Sequence, residues 1–279
     1  MKHIFLNLKR FDITPELGGV NRLAEPRAWG EAVTSSIKQV AERYAGVAEF
    51  AAFLPEAHLI GAVRGAGQSP LGVGCQGVHG ADTAVGGNFG AFTSLRTGNA
   101  VAQLGCGWAL IGHCEERMNL RAMMGEAGAA PEDVERAVNR VLAREVLAAQ
   151  AAGLKALFCM GERSEEVERW DEVLTAQVTE GLEGADLANV RIAYEPVWSI
   201  GPGKTPADAP YIQKVARLVK SVVPGVDVVY GGGLKADNAE MLAGIPEIDG
   251  GLIALTRFSG EIGFYPDEYA QIVDLYLNA

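Results

Sequence analysis

Three polar side chains capable of proton chemistry stand where apolar runs of this chain end. Glu195 closes the run in "AYEPVWSIGPGKTP" (193–206) and is followed by Pro196, a Trp, and a Gly-rich tract ending in Lys204-Thr205-Pro206. An acid at the end of a buried strand, followed by a segment stiff at both ends, suits a base beneath a moving lid. His113 ends "WALIGH" and leads directly into the helix-like "CEER". In "LNLKR", alternation puts Asn7 and Lys9 on one face. Each residue alone has a plain structural reading: a rim lysine, a satisfied histidine, a supporting carboxylate. Lys, His and Glu together at three strand ends read instead as one site. Two further strand ends, "YGGGLK" and "ALTRFSG", are Gly-rich or turn-like and expose backbone N–H groups.

Those ends require a scaffold that gathers them. Strand-like runs occur at 3–8, 49–55, 71–77, 108–113, 155–161, 190–197, 226–232 and 250–256, and their near-continuous hydrophobicity fits strands covered on both faces. Helical patterns lie between them. In "PEDVERAVNRVLAREVLAAQAAG", Pro131 and two acids open a helix, Val134, Val138, Val141 and Leu142 recur at its spacing, and Gly153 closes it. "YPDEYAQIVDLYLN" supplies a final helix. Eight such units in 279 residues predict one closed (β/α)8 TIM barrel spanning 1–279, with its chemistry at the C-terminal strand ends. A doubly wound open sheet is the fallback.

Composition narrows the function. The chain is 48% apolar and 21% charged, with 24 basic against 35 acidic residues and a net charge of −11. That balance opposes nucleic acid or an anionic membrane as partner, and obliges an anionic substrate to be held by local donors. The four cysteines, Cys75, Cys106, Cys114 and Cys159, show neither CxxC nor zinc-ligand spacing, so reduced thiols and no metal centre are expected. The short apolar start and the lack of an 18-residue apolar span lead to the expectation of a soluble, cytoplasmic protein.

The same segments resemble the triosephosphate isomerase family. "AYEPVWSIGPGKTP" is similar to its catalytic glutamate and lid, "GWALIGHCEER" to its Gly-His-Ser-Glu-Arg-Arg segment, and "NLK" to its Asn-Trp-Lys. "GAFT" (90–93) resembles the dimer loop, "FCMGE" (158–162) the end of strand 5, and "YGGGLKADN" and "IDGGLIALT" the two phosphate loops. The resemblance implies an aldose–ketose isomerase acting on a small phosphorylated sugar through an enediolate, without cofactor. By position Glu195 would be the base and His113 a neutral electrophile at a helix N-terminus. Lys9 would neutralise developing charge, Asn7 would orient oxygens, and Glu115 would brace Lys9 or shuttle a proton. Gly201, Gly232, Gly233, Ala254 and Leu255 would meet the anion. Pro196, Val197, Trp198, Lys204 and Thr205 would form the lid, Glu162 would hold its positions with Trp198, and Tyr230 would latch it. Thr93 would enter a partner subunit in a homodimer.

The departures cluster at the anion end. Gly233 replaces the family's serine, Ala254-Leu255 replace Gly-Gly, and Pro202 removes a lid N–H. Arg257 is a bidentate substitute or a rim arginine. Cys114 replaces a serine, Leu8 a tryptophan and Glu116 an arginine. Loop 1 (about 10–25) and loop 3 (about 76–93) look extended. These changes leave a related substrate, such as a tetrulose phosphate, as the alternative; a catalytically silent scaffold is the alternative of another class.

Overall fold

The computed structural model describes residues 1–201 and 204–279. Pro202, one of the departures noted above, lies outside them. Eight parallel strands close into a barrel in sequence order. They are β1 (Lys2–Asn7), β2 (Ala48–Leu54), β3 (Leu71–Gln76), β4 (Trp108–Ile111), β5 (Lys155–Met160), β6 (Val190–Tyr194), β7 (Asp227–Tyr230) and β8 (Gly250–Ile253). Pairing of β1 with β8, His3 opposite Gly250, closes the ring and excludes the open sheet. All eight runs found in the sequence are strands. Their observed C-terminal ends come earlier, because the apolar and glycine residues beyond them already belong to the mouth loops.

The helices in chain order are α1 (Trp29–Arg43), α2 (Leu59–Ala66), α3 (Gly98–Gln103), α4 (Cys114–Glu126), α5 (Pro131–Ala151), α6 (Trp170–Gly181), α7 (Ala209–Val222), α8 (Ala239–Ala243) and α9 (Pro266–Leu277). Local chemistry sets their limits. Pro131 takes the first turn of α5, where its missing N–H costs nothing. Past the helix, Gly153 at φ 82° lets the chain turn, and its N–H donates to Gln150 O. The Asp208 carboxylate caps α7 by accepting from Tyr211 N–H at 2.9 Å. Behind that cap, Ile212, Val215, Ala216 and Val219 form one buried stripe at helical spacing.

Strand alternation divides the core in two. Inside the barrel, Phe5, Phe53, Trp108, Leu110, Leu157, Cys159, Val229 and Leu252 pack on one another. The alternate residues, such as Ile4, Leu6, Phe158 and Ile192, fill the layer beneath the helices. Each fully buried side chain of this size contributes roughly 1.5–3 kcal/mol. At the N-terminal end, His3 meets Glu49 at 3.1 Å and Asp227 at 2.8 Å, with Lys155 and Arg191 completing the ring of charges. That network lies opposite the mouth and serves stability.

Candidate active site

Strand phase aims two of the site residues. Asn7 continues the inward set of Phe5, and Glu195 that of Ala193. His113 is out of phase with the inward Trp108 and Leu110. Gly112 corrects this by adopting φ 79°, which re-aims the chain, and a Cβ there would stand 2.8 Å from Cys159 O. Glu195 is held tightly from below, since Cβ atoms at Gly161 or Gly231 would strike its backbone oxygen or its Cγ.

The four polar groups form a line across the mouth. Lys9 Nζ donates to Glu115 Oε1 at 2.7 Å, and Glu115 Oε2 lies 3.7 Å from His113 Nδ1. His113 Nε2 then meets Glu195 Oε1 at 3.0 Å. The other Glu195 oxygen accepts the Cys114 N–H at 2.9 Å. Glu195 and His113 are 2% and 7% exposed, a nearly dry pair. Lys9 adopts φ 41°, a left-handed conformation unusual outside glycine. Its backbone is tied down on both sides: its N–H donates to Asn7 Oδ1, and Gln76 Nε2 donates to Asn7 Oδ1 and to Lys9 O.

Electrostatics follow the line. Burial opposes the Lys9 charge, yet the Glu115 carboxylate holds its pKa above the ordinary value. Burial works against ionisation of Glu115 too, but Lys9 outweighs it and pulls the carboxyl down. Burial also opposes charge on His113, but the Glu195 carboxylate overrides it and lifts the imidazole to about 10. The neutral imidazole expected from helix position is thus opposed by the neighbouring Glu195 carboxylate. The opposing influence is nonetheless present: the Glu115 N–H in the first turn of α4 points at His113 Nδ1 from 3.2 Å. Burial and that N–H both favour the neutral form.

The segment read from the sequence as a lid begins as a short turn, Val197–Ser199, after Pro196. Ser199 N–H donates to Pro196 O at 2.8 Å, and Lys204 N–H to Gly201 O at 3.3 Å. Glu162, fully buried, accepts three donors at one oxygen: Trp198 Nε1 at 2.7 Å, Tyr194 OH at 2.9 Å and Tyr211 OH at 3.0 Å. Burial pushes the Tyr230 phenol up to about 12, and its hydroxyl sits against Gly232.

The two segments read from the sequence as the anion end, loop 7 (231–238) and loop 8 (254–265), follow the adjacent strands β7 and β8. Among the described residues, the N–H groups of Gly232, Gly233, Ala254 and Leu255 have no hydrogen-bond acceptor, whereas those of Thr256 and Arg257 are both taken by Gly263 O. Gly233 has φ 100°, a conformation that a serine would strain to adopt. Arg257 is committed elsewhere. Its guanidinium is hydrogen-bonded to Glu268 in the first turn of α9 and lies over the Tyr265 ring. The bidentate substitute considered from the sequence is thus a rim arginine in this arrangement.

Several supporting residues escaped the sequence reading. Gln76 was legible as a polar residue at a strand end. Arg117 was not: it is buried, donating to Gly112 O, Cys159 O and Asn139 Oδ1, and so fixes the β4 and β5 ends. Tyr194 lay inside the Glu195 segment without a sign of its role, and Tyr211, the other tyrosine on Glu162, carried no motif. Thr93 and its neighbours Ser94 and Leu95 are exposed, while the Phe92 ring packs on His79 at 4.8 Å. Loop 1 folds on Asn21, which donates to Asp12 O and Ala24 O and thereby closes its turn. Arg22 ties that loop to loop 8 through Ile262 O at 2.8 Å.

Known proteins share both motif and architecture. The family model for triosephosphate isomerase matches residues 27–261, leaving β1 with Asn7 and Lys9 outside the matched stretch. The triosephosphate isomerase of Chlorobium luteolum is 39% identical over 176 residues, 59% of this chain and 64% of that protein. That of Alcanivorax borkumensis is 36% identical over 222 residues, 75% and 81% of the two chains. The solved triosephosphate isomerase of Bartonella henselae has a TM-score of 0.70, covering 99% of this chain and 98% of its own, at 23% identity, a likeness of fold.

Proposed function

The chain belongs to the triosephosphate isomerase family, and from that premise we propose that it interconverts dihydroxyacetone phosphate and glyceraldehyde 3-phosphate by enediolate proton transfer. The observation that carries the reading is the unbroken line from Lys9 through Glu115 and His113 to Glu195 across one barrel mouth. Glu195 holds two hydrogen bonds in the resting arrangement. On substrate binding it exchanges them for the substrate carbon, whose proton it removes. Its departure returns His113 to neutrality, and the imidazole donates to the oxygen on which charge grows. A neutral imidazole in that role is the known pattern of triosephosphate isomerases. Lys9, preset by its left-handed backbone, stabilises the same oxygens, and Asn7 orients them.

The four open N–H groups on Gly232, Gly233, Ala254 and Leu255 would hold the phosphate, joined by Gly201 when the lid descends. No organic cofactor or metal is needed by this chemistry. A homodimer would cover the exposed Val85 and Phe89 of loop 3, with Thr93 reaching the partner. The setting would be the cytoplasm, consistent with the absence, among the described residues, of any helix long and apolar enough to cross a membrane.

The direct test couples formation of glyceraldehyde 3-phosphate to its oxidation and compares Glu195→Asp. Shortening the base by one methylene misplaces it by about an ångström, so turnover should fall by about 100-fold or more with binding retained. Turnover of tetrulose phosphates in place of triose phosphate would move the reading to the related substrate. No turnover of either would favour a binding protein.

A further inference from the structure

We propose that this mouth is also an inhibitory site for a thiophilic divalent cation, Zn²⁺ above all, held by Cys114, His113 and Glu195. Among the described residues, one donor atom from each of these three side chains lies within 4.8 Å of the others. The set is one sulfur, one ring nitrogen and one carboxylate oxygen, a mixture that zinc accepts. Zinc bonds are about 2.3 Å to sulfur and about 2.0–2.2 Å to nitrogen and oxygen, so tetrahedral edges measure roughly 3.3–3.6 Å. Cys114 Sγ lies 4.0 Å from His113 Nε2, and that nitrogen lies 3.0 Å from Glu195 Oε1. Cys114 Sγ also lies 3.8 Å from His113 Nδ1, beside the ring, so closing the triangle on a metal requires the thiol to turn toward Nε2.

The surroundings favour occupancy. His113 and Glu195 are nearly dry, which strengthens a charge-compensated cation. His113 Nδ1 now faces the Glu115 N–H at 3.2 Å, with Glu115 Oε2 at 3.7 Å, so a zinc-bound imidazole, protonated at Nδ1, would turn that nitrogen from the N–H to the carboxylate. Three protein donors leave a fourth position for water. Binding displaces two protons to solvent, that of the thiol and the one between His113 Nε2 and Glu195. The metal then occupies both the base and the electrophile, so proton transfer stops.

Cys114 supplies the sulfur where the family motif that this segment resembles has serine. The remaining cysteines do not compete. Burial pushes the Cys75 thiol up to about 12, Cys106 to about 11, and Cys159 well above its usual value.

The site is tested by metal alone. Titration of the full-length protein with Co²⁺ should give one equivalent of a species with a thiolate-to-cobalt charge-transfer band, abolished by Zn²⁺ and missing in Cys114→Ser. Because this readout needs no turnover, its failure is separable from failure of the isomerase reading. In the isomerase assay, Zn²⁺ should inhibit competitively with substrate and chelator should restore activity. Cys114→Ser should raise the half-inhibiting concentration by about 100-fold, one ligand's share of a zinc site. Cys114→Ala should match it. No band, a band surviving in both variants, or equal inhibition of variants and parent would overturn the proposal.

Discussion

Glu145→Gln should stabilise this protein, an unusual expectation for a buried side chain. Glu145 lies on α5 at 6% exposure, and its Oε2 has no hydrogen-bond partner among the described residues. It is packed against Glu116 of α4, whose Oε2 accepts the Gly112 N–H at 2.6 Å. Arg96 of loop 3 faces the pair, with Arg117 and His113 acting on Glu116. Burial and the Glu116 carboxylate lift Glu145 well above its ordinary value. In the unfolded chain the group ionises near 4.5, so above that pH the folded state must keep a proton that the unfolded state releases. The group therefore costs stability increasingly as pH rises above 4.5, until the raised folded pKa is passed. Each pH unit inside that window corresponds to about 1.4 kcal/mol.

Glutamine is neutral throughout and can offer an N–H toward Glu116. Removing this cost should raise Tm by about 5–10 °C near pH 7.5. Calorimetry of parent and variant at equal protein concentration, from about pH 5 to 9, is the assay. The gap should be small at the acid end and widen with pH. Equal melting temperatures, or parallel pH profiles, would refute the buried-pair reasoning.

Other perturbations have equally specific outcomes. Burial opposes ionisation of Glu49, but His3 and Lys155 outweigh it and pull the carboxyl from 4.5 to about 2. Its stabilisation is complete above pH 4.5 and is lost as pH falls toward 2. Glu49→Gln should therefore cost about 2 kcal/mol near neutrality, once partial solvent screening is allowed for, and flatten the acid limb of a urea-unfolding series. If the segment after Pro196 closes as a lid, Trp198→Phe removes one of the three donors to Glu162 that would hold it open; KM should fall about five- to tenfold as closure becomes easier, and an unchanged KM would mean that the bond persists on closure. Arg257→Ala should leave KM within about threefold, because the guanidinium serves Glu268 at the rim. A tenfold rise in KM would return Arg257 to the substrate anion.

The barrel was legible because strands covered on both faces read as continuous apolar runs, and the spacing of eight such runs leaves few architectures. Glu195 and His113 stood out as polar residues ending those runs. The strand limits were less visible. "GH" after β4 and "GG" after β7 continue the pattern in sequence, while in space the strands have ended and left-handed backbone at Gly112 and, just past the second pair, at Gly233 turns the mouth loops. The bracing network was mostly hidden, since Arg117, Tyr194, Tyr211 and Glu145 find partners across helices and strands distant in sequence. Arg257 shows the converse: its charge was evident, but its commitment depends on Glu268, eleven residues on and across the loop 8 turn.

The central claim is that Glu195 moves a proton at the substrate carbon. Incubating the protein with dihydroxyacetone phosphate in deuterium oxide, and trapping the aldose as it forms, reads that event by NMR or mass spectrometry. Deuterium should enter at C2 of the glyceraldehyde 3-phosphate, with both product formation and label incorporation lost in Glu195→Gln. Label incorporation at the parental rate in Glu195→Gln, or no exchange in the parent protein, would contradict the account.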